Sequence, residues 1–366
     1  MLRTSPYRLR AGLVVAFVSA TLAALAQPPG DAFARRQATR LDAPVKAVAP
    51  QRLHIDTAQG SGELPVYANR DLEAPAPDVT RVLIVLHGTL RNADVYEATG
   101  QQVIAQAGEA GQHVLVVAPQ FLTRADARAF DLPPRTLAWS QRGWKAGEAA
   151  RQPAPLGSMA VLDALLARFA DRRRYPALGS VVVAGHSAGA QLLQRYAVVG
   201  HGDEALARLG VAVRYVVANP SSYLYFDDRR PAAASAPPAD CEGVNRWKYG
   251  FDGAPPYVTA QGKADFERRY VARDVVYLLG TADTDPATHF IDRSCAAMAQ
   301  GPNRFARGLA YFDYLRVRHP SDFAQTLVEV PGVGHDNLRM FTSECGTAVL
   351  LGQPIPASCP AMGGQG

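Results

Sequence analysis

Three residues of this 366-residue chain are of the right types to turn a hydroxyl into a nucleophile: Ser187, Asp283 and His335. A serine hydroxyl attacks poorly until a base removes its proton, and the base needs a third group to hold its tautomer. Each of the three lies just past a short apolar run. Ser187 sits in Gly185-His186-Ser187-Ala188-Gly189, Asp283 in Gly280-Thr281-Ala282-Asp283, and His335 in Pro331-Gly332-Val333-Gly334-His335. A bare Gly-x-Ser-x-Gly means little; its surroundings decide. Here Val181-Val182-Val183-Ala184 precedes it as a strand and Gln191-Leu192-Leu193-Gln194-Arg195-Tyr196 follows as a helix. A strand end, a turn flanked by glycine and a helix N-terminus facing the hydroxyl suit a nucleophile. The plainer reading is a strand–helix turn with a capping serine. The chemistry implied is acyl transfer.

Strands must carry these groups, and the chain supplies them in alternation with helices. Val82-Leu83-Ile84-Val85-Leu86 and Val114-Leu115-Val116-Val117-Ala118 are continuous apolar runs, as expected for strands buried on both faces. Further strands are predicted at residues 180–186, 211–218, 275–279 and 326–330, and two opening strands at 52–56 and 64–68 around a Gly-Ser-Gly turn. Helical spacing appears over 93–110, over 159–166 with Ser158 as N-cap, and over 293–318 with a break at Gly301-Pro302; a closing helix follows His335. Such alternation predicts a mainly parallel sheet flanked by helices, whose carboxyl-end loops hold the chemistry. Residues 220–270 lose periodicity and include the run Pro231 to Pro238. So long a stretch is functional or separately packed. It is read as an insertion before the acid-bearing strand, either a lid over the site or a surface excursion held by Cys241.

The order Ser187, Asp283, His335 resembles that of the α/β-hydrolase family and differs from those of the chymotrypsin and subtilisin architectures. The resemblance covers roughly residues 80 to 350. It implies an α/β-hydrolase fold in which Ser187 attacks, His335 acts as base and then acid, and Asp283 orients the imidazole and raises its pKa. The family spacing selects Asp283 over its neighbour Asp285. It also implies an oxyanion hole formed by the backbone N–H groups of Ala188 and Thr89, because His87-Gly88 matches the family's turn after this strand; Leu90 is the alternative to Thr89. In that family His87 and His186 are structural or peripheral, while His289 and His319 end no strand. The cluster Asp283, Asp285, His289 and Asp292 lacks any metal-ligand spacing, so no metal or organic cofactor is expected. More narrowly, the His87-Gly88 loop, Ala138-Trp139-Ser140 and the Ser187 motif resemble secreted polyhydroxyalkanoate depolymerases and feruloyl esterases. Thr89 stands where that group often has cysteine. Trp139 and Trp144 suit either core packing or an aromatic or polymeric substrate.

The expected function is hydrolysis of carboxylic esters, small or polymeric, through an acyl-enzyme. A serine peptidase or amidase on the same triad, or a non-catalytic binding protein of the same fold, are the alternatives.

Composition bounds where this happens. Arg3, Arg8 and Arg10 precede an apolar run from Ala11 to Ala26 that ends in Ala24-Leu25-Ala26. This reads as a secretory signal over residues 1–26, cut before Gln27; an uncleaved anchor is the alternative. A secreted or periplasmic protein with no stable membrane insertion is expected. Removing that leader, with three cations and no acid, lowers the formal charge of +5 to +2, too little for a charge-driven nucleic-acid binder. Residues 27–50 are a polar, Ala/Pro-rich, loosely held arm, and 51–366 a single domain. The four cysteines predict two disulfides, Cys241–Cys295 and Cys345–Cys359.

Overall fold

A computed structural model describes residues 1–2, 40–231, 241, 243–261 and 263–363. The expected leader lies outside the described residues apart from its first two, as do the arm to residue 39 and most of the Pro231–Pro238 run. Among the described residues nine strands form one sheet: β1 (Gln51–Thr57), β2 (Gly60–Ala68), β3 (Arg81–Leu86), β4 (Val114–Pro119), β5 (Ser180–His186), β6 (Ala212–Ala218), β7 (Asp274–Gly280), β8 (Thr326–Val330) and β9 (Ala361–Gly363). Their spatial order is β1-β2-β4-β3-β5-β6-β7-β8-β9. The six strands from β4 to β8 run parallel. β1, β2 and β9 join antiparallel at the two edges.

The apolar runs explain why the middle of the sheet is buried on both sides. Along β3, Val82, Ile84 and Leu86 face one helical layer, made by the helices Ser158–Arg168, Ala188–Val199, Lys263–Ala272 and Arg304–Arg318. Leu83 and Val85 face the other, made by Ala93–Gln106, Asn337–Phe341 and Glu344–Leu351. Full burial of each such side chain contributes about 1.5–3 kcal/mol, which no single-faced strand could collect at every position. Because the middle strands are parallel, their carboxyl ends share one rim, and β5, β7 and β8 deliver Ser187, Asp283 and His335 to it.

Several local expectations are corrected. The opening hairpin turns at Thr57–Gly60, and Gly60, Ser61 and Gly62 belong to β2 itself. Ser158 is the first helical residue, not the cap, and its hydroxyl donates to the Trp144 carbonyl at 2.5 Å. The arm is not loose over its last residues: Val45 N–H donates to Asp126, and Ala49 N–H to Gln120. Within 220–270, Tyr223, Leu224 and Tyr225 are core residues, and Lys263–Ala272 is a helix. In sequence its five charged residues, Lys263, Asp265, Glu267, Arg268 and Arg269, hide the apolar stripe of Phe266, Tyr270 and Val271. Both disulfides form as expected, with Cα–Cα distances of 5.9 Å for Cys241–Cys295 and 5.7 Å for Cys345–Cys359. Among the described residues no helix is long and apolar enough to cross a membrane.

Candidate active site

Ser187 terminates β5 with φ 59° and ψ −115°, a backbone conformation L-residues rarely adopt. The glycines around it make that turn possible. A Cβ on Gly185 would lie 2.6 Å from the Gly189 backbone, and one on Gly189 would lie 2.3 Å from the Leu86 carbonyl oxygen. No side chain fits at either place. The Ser187 N–H is held by the Ala218 carbonyl at 3.0 Å, and its side chain caps nothing in the helix Ala188–Val199. The hydroxyl is therefore left for other work.

That work is visible in the distances. Ser187 Oγ lies 2.9 Å from His335 Nε2, and His335 Nδ1 lies 2.7 Å from Asp283 Oδ2. With the proton on Nδ1, the imidazole donates to the carboxylate and presents Nε2 as acceptor to the serine O–H. The loops carrying His335 and Asp283 are braced against each other. Ala282 N–H donates to the Val333 carbonyl at 3.0 Å and Thr281 N–H to the Val330 carbonyl at 3.1 Å. Asn219, in the left-handed region at the end of β6, accepts the Gly280 N–H at 3.1 Å.

The other candidates from the sequence that the structure places are occupied elsewhere. Asp285 caps its own turn through the Ala287 N–H, and Asp292 binds Lys248 and Tyr249. The four groups weighed as a metal cluster thus do not converge. His319 pairs with Glu267. His87 donates from Nδ1 to the Gly88 carbonyl and accepts the Phe121 N–H at Nε2, so both ring nitrogens are used. Burial holds it neutral, with its pKa down to about 4. His186 is buried between the Tyr96 hydroxyl and the face of His335, 4.5 Å between ring centroids. Its pKa is pushed well down by burial and by His335 and Arg304.

One expectation about the base is reversed. Burial outweighs the pull of Asp283 and holds the His335 pKa below the ordinary imidazole value, and the Arg304 cation pushes the same way. Arg304 was not foreseen. Its guanidinium is fully buried 3.6 Å from Asp283 Oδ1 and donates to Thr288 Oγ1 at 2.7 Å and the His289 carbonyl at 3.0 Å. Nothing in its sequence neighbourhood distinguishes it from the chain's other arginines.

Ala188 is the first residue of its helix, where a backbone N–H has no intrahelical acceptor. Thr89 is buried in the loop after β3, and its carbonyl accepts from Gln141 Nε2 at 3.1 Å. That loop passes beside the serine: a Cβ on Gly88 would lie 3.9 Å from Ser187 Cβ. Its shape is fixed by Arg91, at φ 59°, whose guanidinium forms a buried two-point pair with Asp126 at 2.7 and 3.0 Å. Trp139 and Trp144 pack against Phe121 and are buried, so neither faces a substrate.

No family model matches the chain, and no curated protein matches it. Solved structures do. LpqC, a poly(3-hydroxybutyrate) depolymerase from Bordetella parapertussis, is 22% identical with a TM-score of 0.55, covering 88% of this chain and 97% of that one. Poly(aspartic acid) hydrolase-1 from Sphingomonas sp. KT-1 is 23% identical with a TM-score of 0.54, covering 80% and 96%. At that distance a likeness speaks of architecture alone. Parallel sheet, sharp serine turn after β5 and matching solved structures agree: this chain has the α/β-hydrolase fold.

Proposed function

We propose that the chain is a serine hydrolase that cleaves carboxylic esters through an acyl-enzyme. The observation that carries this reading is the continuous line from Ser187 Oγ through His335 to Asp283, at 2.9 and 2.7 Å. His335 takes the serine proton as Oγ attacks the ester carbonyl, and Asp283 stabilises the imidazolium. The backbone N–H groups of Ala188 and Thr89 receive the developing oxyanion. Protonated His335 then gives its proton to the departing alcohol. Water, activated by the same nitrogen, releases the acid and restores the serine. Aimed donors and a neutral base account for the chemistry without any further group.

The export expected from the sequence is compatible with this reading. The Arg-led apolar leader and the two disulfides suit a secreted or periplasmic protein. One solved relative acts on a polyester, poly(3-hydroxybutyrate), and the other on poly(aspartic acid), whose links are amides. The second keeps amide hydrolysis as the rival on the same triad. Labelling with a fluorophosphonate tests the nucleophile: Ser187 should be modified, and a non-catalytic binding protein would remain unlabelled. A matched pair of chromogenic ester and anilide substrates then separates the two hydrolases. Faster anilide than ester turnover would overturn the ester reading.

A further inference from the structure

Beside the serine lies a cavity of about 510 Å³. It starts at Thr89 and at Gln191, one helical turn past Ser187, and its far wall is formed by residues 247–249 and 290–294. Its lining carries four cations, Arg142, Lys145, Lys248 and Arg293, against two acids, Glu148 and Asp292. Asp292 is already committed. Lys248 Nζ lies 2.8 Å from it, the Tyr249 hydroxyl donates to it at 2.7 Å, and the Ser294 N–H donates to its other oxygen at 3.1 Å. Two fully buried guanidiniums stand close to this wall, and neither meets a carboxylate. Arg195 donates to the Lys248 and Gln191 carbonyls and the Ser222 hydroxyl, and Arg307 to the Gly301, Ser221 and Asp292 carbonyls.

Lys145 is left over. Its ammonium has no hydrogen bond or ion pair among the described residues. The backbone turn that carries it is pinned from both sides. Ser158 Oγ donates to the Trp144 carbonyl at 2.5 Å, and Trp247 Nε1 donates to the Ala146 carbonyl at 2.6 Å. Burial, with Lys248, Arg195 and Arg142 as neighbouring cations, lowers its pKa to about 7. A half-buried amine crowded by cations on the wall of a cavity regains its full charge when an anion binds beside it.

We infer that this cavity binds a carboxylate carried by the substrate, so that the preferred substrates are esters bearing a free acid group. This rests on the hydrolase reading above and names its substrate class. Binding a carboxylate gives Lys145 a partner and relieves the repulsion among the four lining cations. A neutral ester of equal size gains neither.

The test has two independent parts. In the first, kcat/KM is measured for the mono-p-nitrophenyl ester of glutaric acid and for the pentanoate ester of 4-hydroxybenzoate, which put the acid on the acyl and alcohol sides. Each is compared with its uncharged counterpart, p-nitrophenyl pentanoate or the 4-hydroxybenzamide ester. At least one charged ester should be preferred by about tenfold or more, and Lys145→Met should remove most of that preference. Lys145→Arg should retain it. Arg293→Gln, at an exposed cavity position, should reduce it even if Lys145→Met fails to fold, whereas Arg173→Gln, far out on the surface, should not change it. Equal rates for charged and uncharged esters would overturn the inference. In the second part, Ser187→Ala protein is titrated with glutarate and with inorganic phosphate. Glutarate should bind and weaken on Lys145→Met, while phosphate binding more tightly than glutarate, or no binding of either, would overturn the carboxylate assignment. If the wild-type chain turns over no ester, the hydrolase reading falls, and the titration still decides what the cavity binds.

Discussion

The line from Ser187 to Asp283 and the cavity beside it hold opposite balances of charge. Along the line, hydroxyl meets imidazole, imidazole meets carboxylate Oδ2, and the other carboxylate oxygen stands 3.6 Å from a buried guanidinium. In the cavity, cations outnumber acids, and one ammonium has no partner among the described residues. The first arrangement is complete before any ligand arrives, which is what preorganised catalysis requires. The second is completed only by a ligand. On the proposed reading, the closed region sets the reaction type and the open one the substrate choice.

The closed line can be broken most severely at its ends. Ser187→Ala should lower kcat by about 10⁴-fold or more, and His335→Ala by about a thousandfold or more, with the circular dichroism spectrum unchanged. Asp283→Asn should cost nearly as much, because it disturbs the tautomer of His335, while Asp285→Asn should leave kcat within about twofold. A crippled Asp285→Asn and a mild Asp283→Asn would move the acid two residues along the turn.

Arg304 sharpens the comparison, since it is the one cation on the closed side. It lowers the His335 pKa, so Arg304→Met should shift the acid limb of the pH–kcat/KM profile to higher pH and reduce kcat by about tenfold. A purely structural arginine would lower stability without moving that limb. In the wild-type protein the limb itself should lie below about pH 6.5, because the base must be neutral and burial already favours its neutral form. Activity should then be flat through neutrality.

The smallest effect is on stability. His87 has a folded pKa near 4, below its unfolded value, so between about pH 6.5 and 4 the unfolded chain binds a proton that the native chain refuses. Stability should therefore fall as pH drops through that window, by about 1.4 kcal/mol per pH unit for this residue. Urea melts of wild type and His87→Gln at pH 7 and pH 5 would show it as a smaller loss in the variant.

Much of the closed region was legible because it is built from sequence-local signals. Apolar runs named the parallel strands, and glycines flanking Ser187 named the turn. Chain order then selected Asp283 and His335. The open region gave no such signal. Lys145 follows a buried tryptophan in a short turn, and Lys248 and Asp292 meet across 44 residues of chain. Arg304, Arg195 and Arg307 look like solvated helix charges until packing encloses them. The pKa of His335 went the wrong way in the sequence reading for the same reason: Asp283 is visible as a partner, but burial is a property of the whole fold. Residues 263–272 were missed because half of that helix's residues are charged.

The fastening of the loop after β3 reaches further along the chain than the loop itself. Arg91 donates not only to Asp126 but also to the carbonyls of Leu41 at 3.2 Å and Ala43 at 2.8 Å. Gln120 accepts from Ala49 N–H and donates to the carbonyls of Ala47 and Arg91. A recombinant protein started at Gln51, the first residue of β1, would therefore strip a guanidinium and an amide of acceptors they hold in the interior. The smallest unit worth expressing begins at or before Leu41. Since Leu41 also borders the cavity, a purification tag fused just ahead of it would stand at the cavity's mouth, and a tag at the carboxyl end is the safer choice.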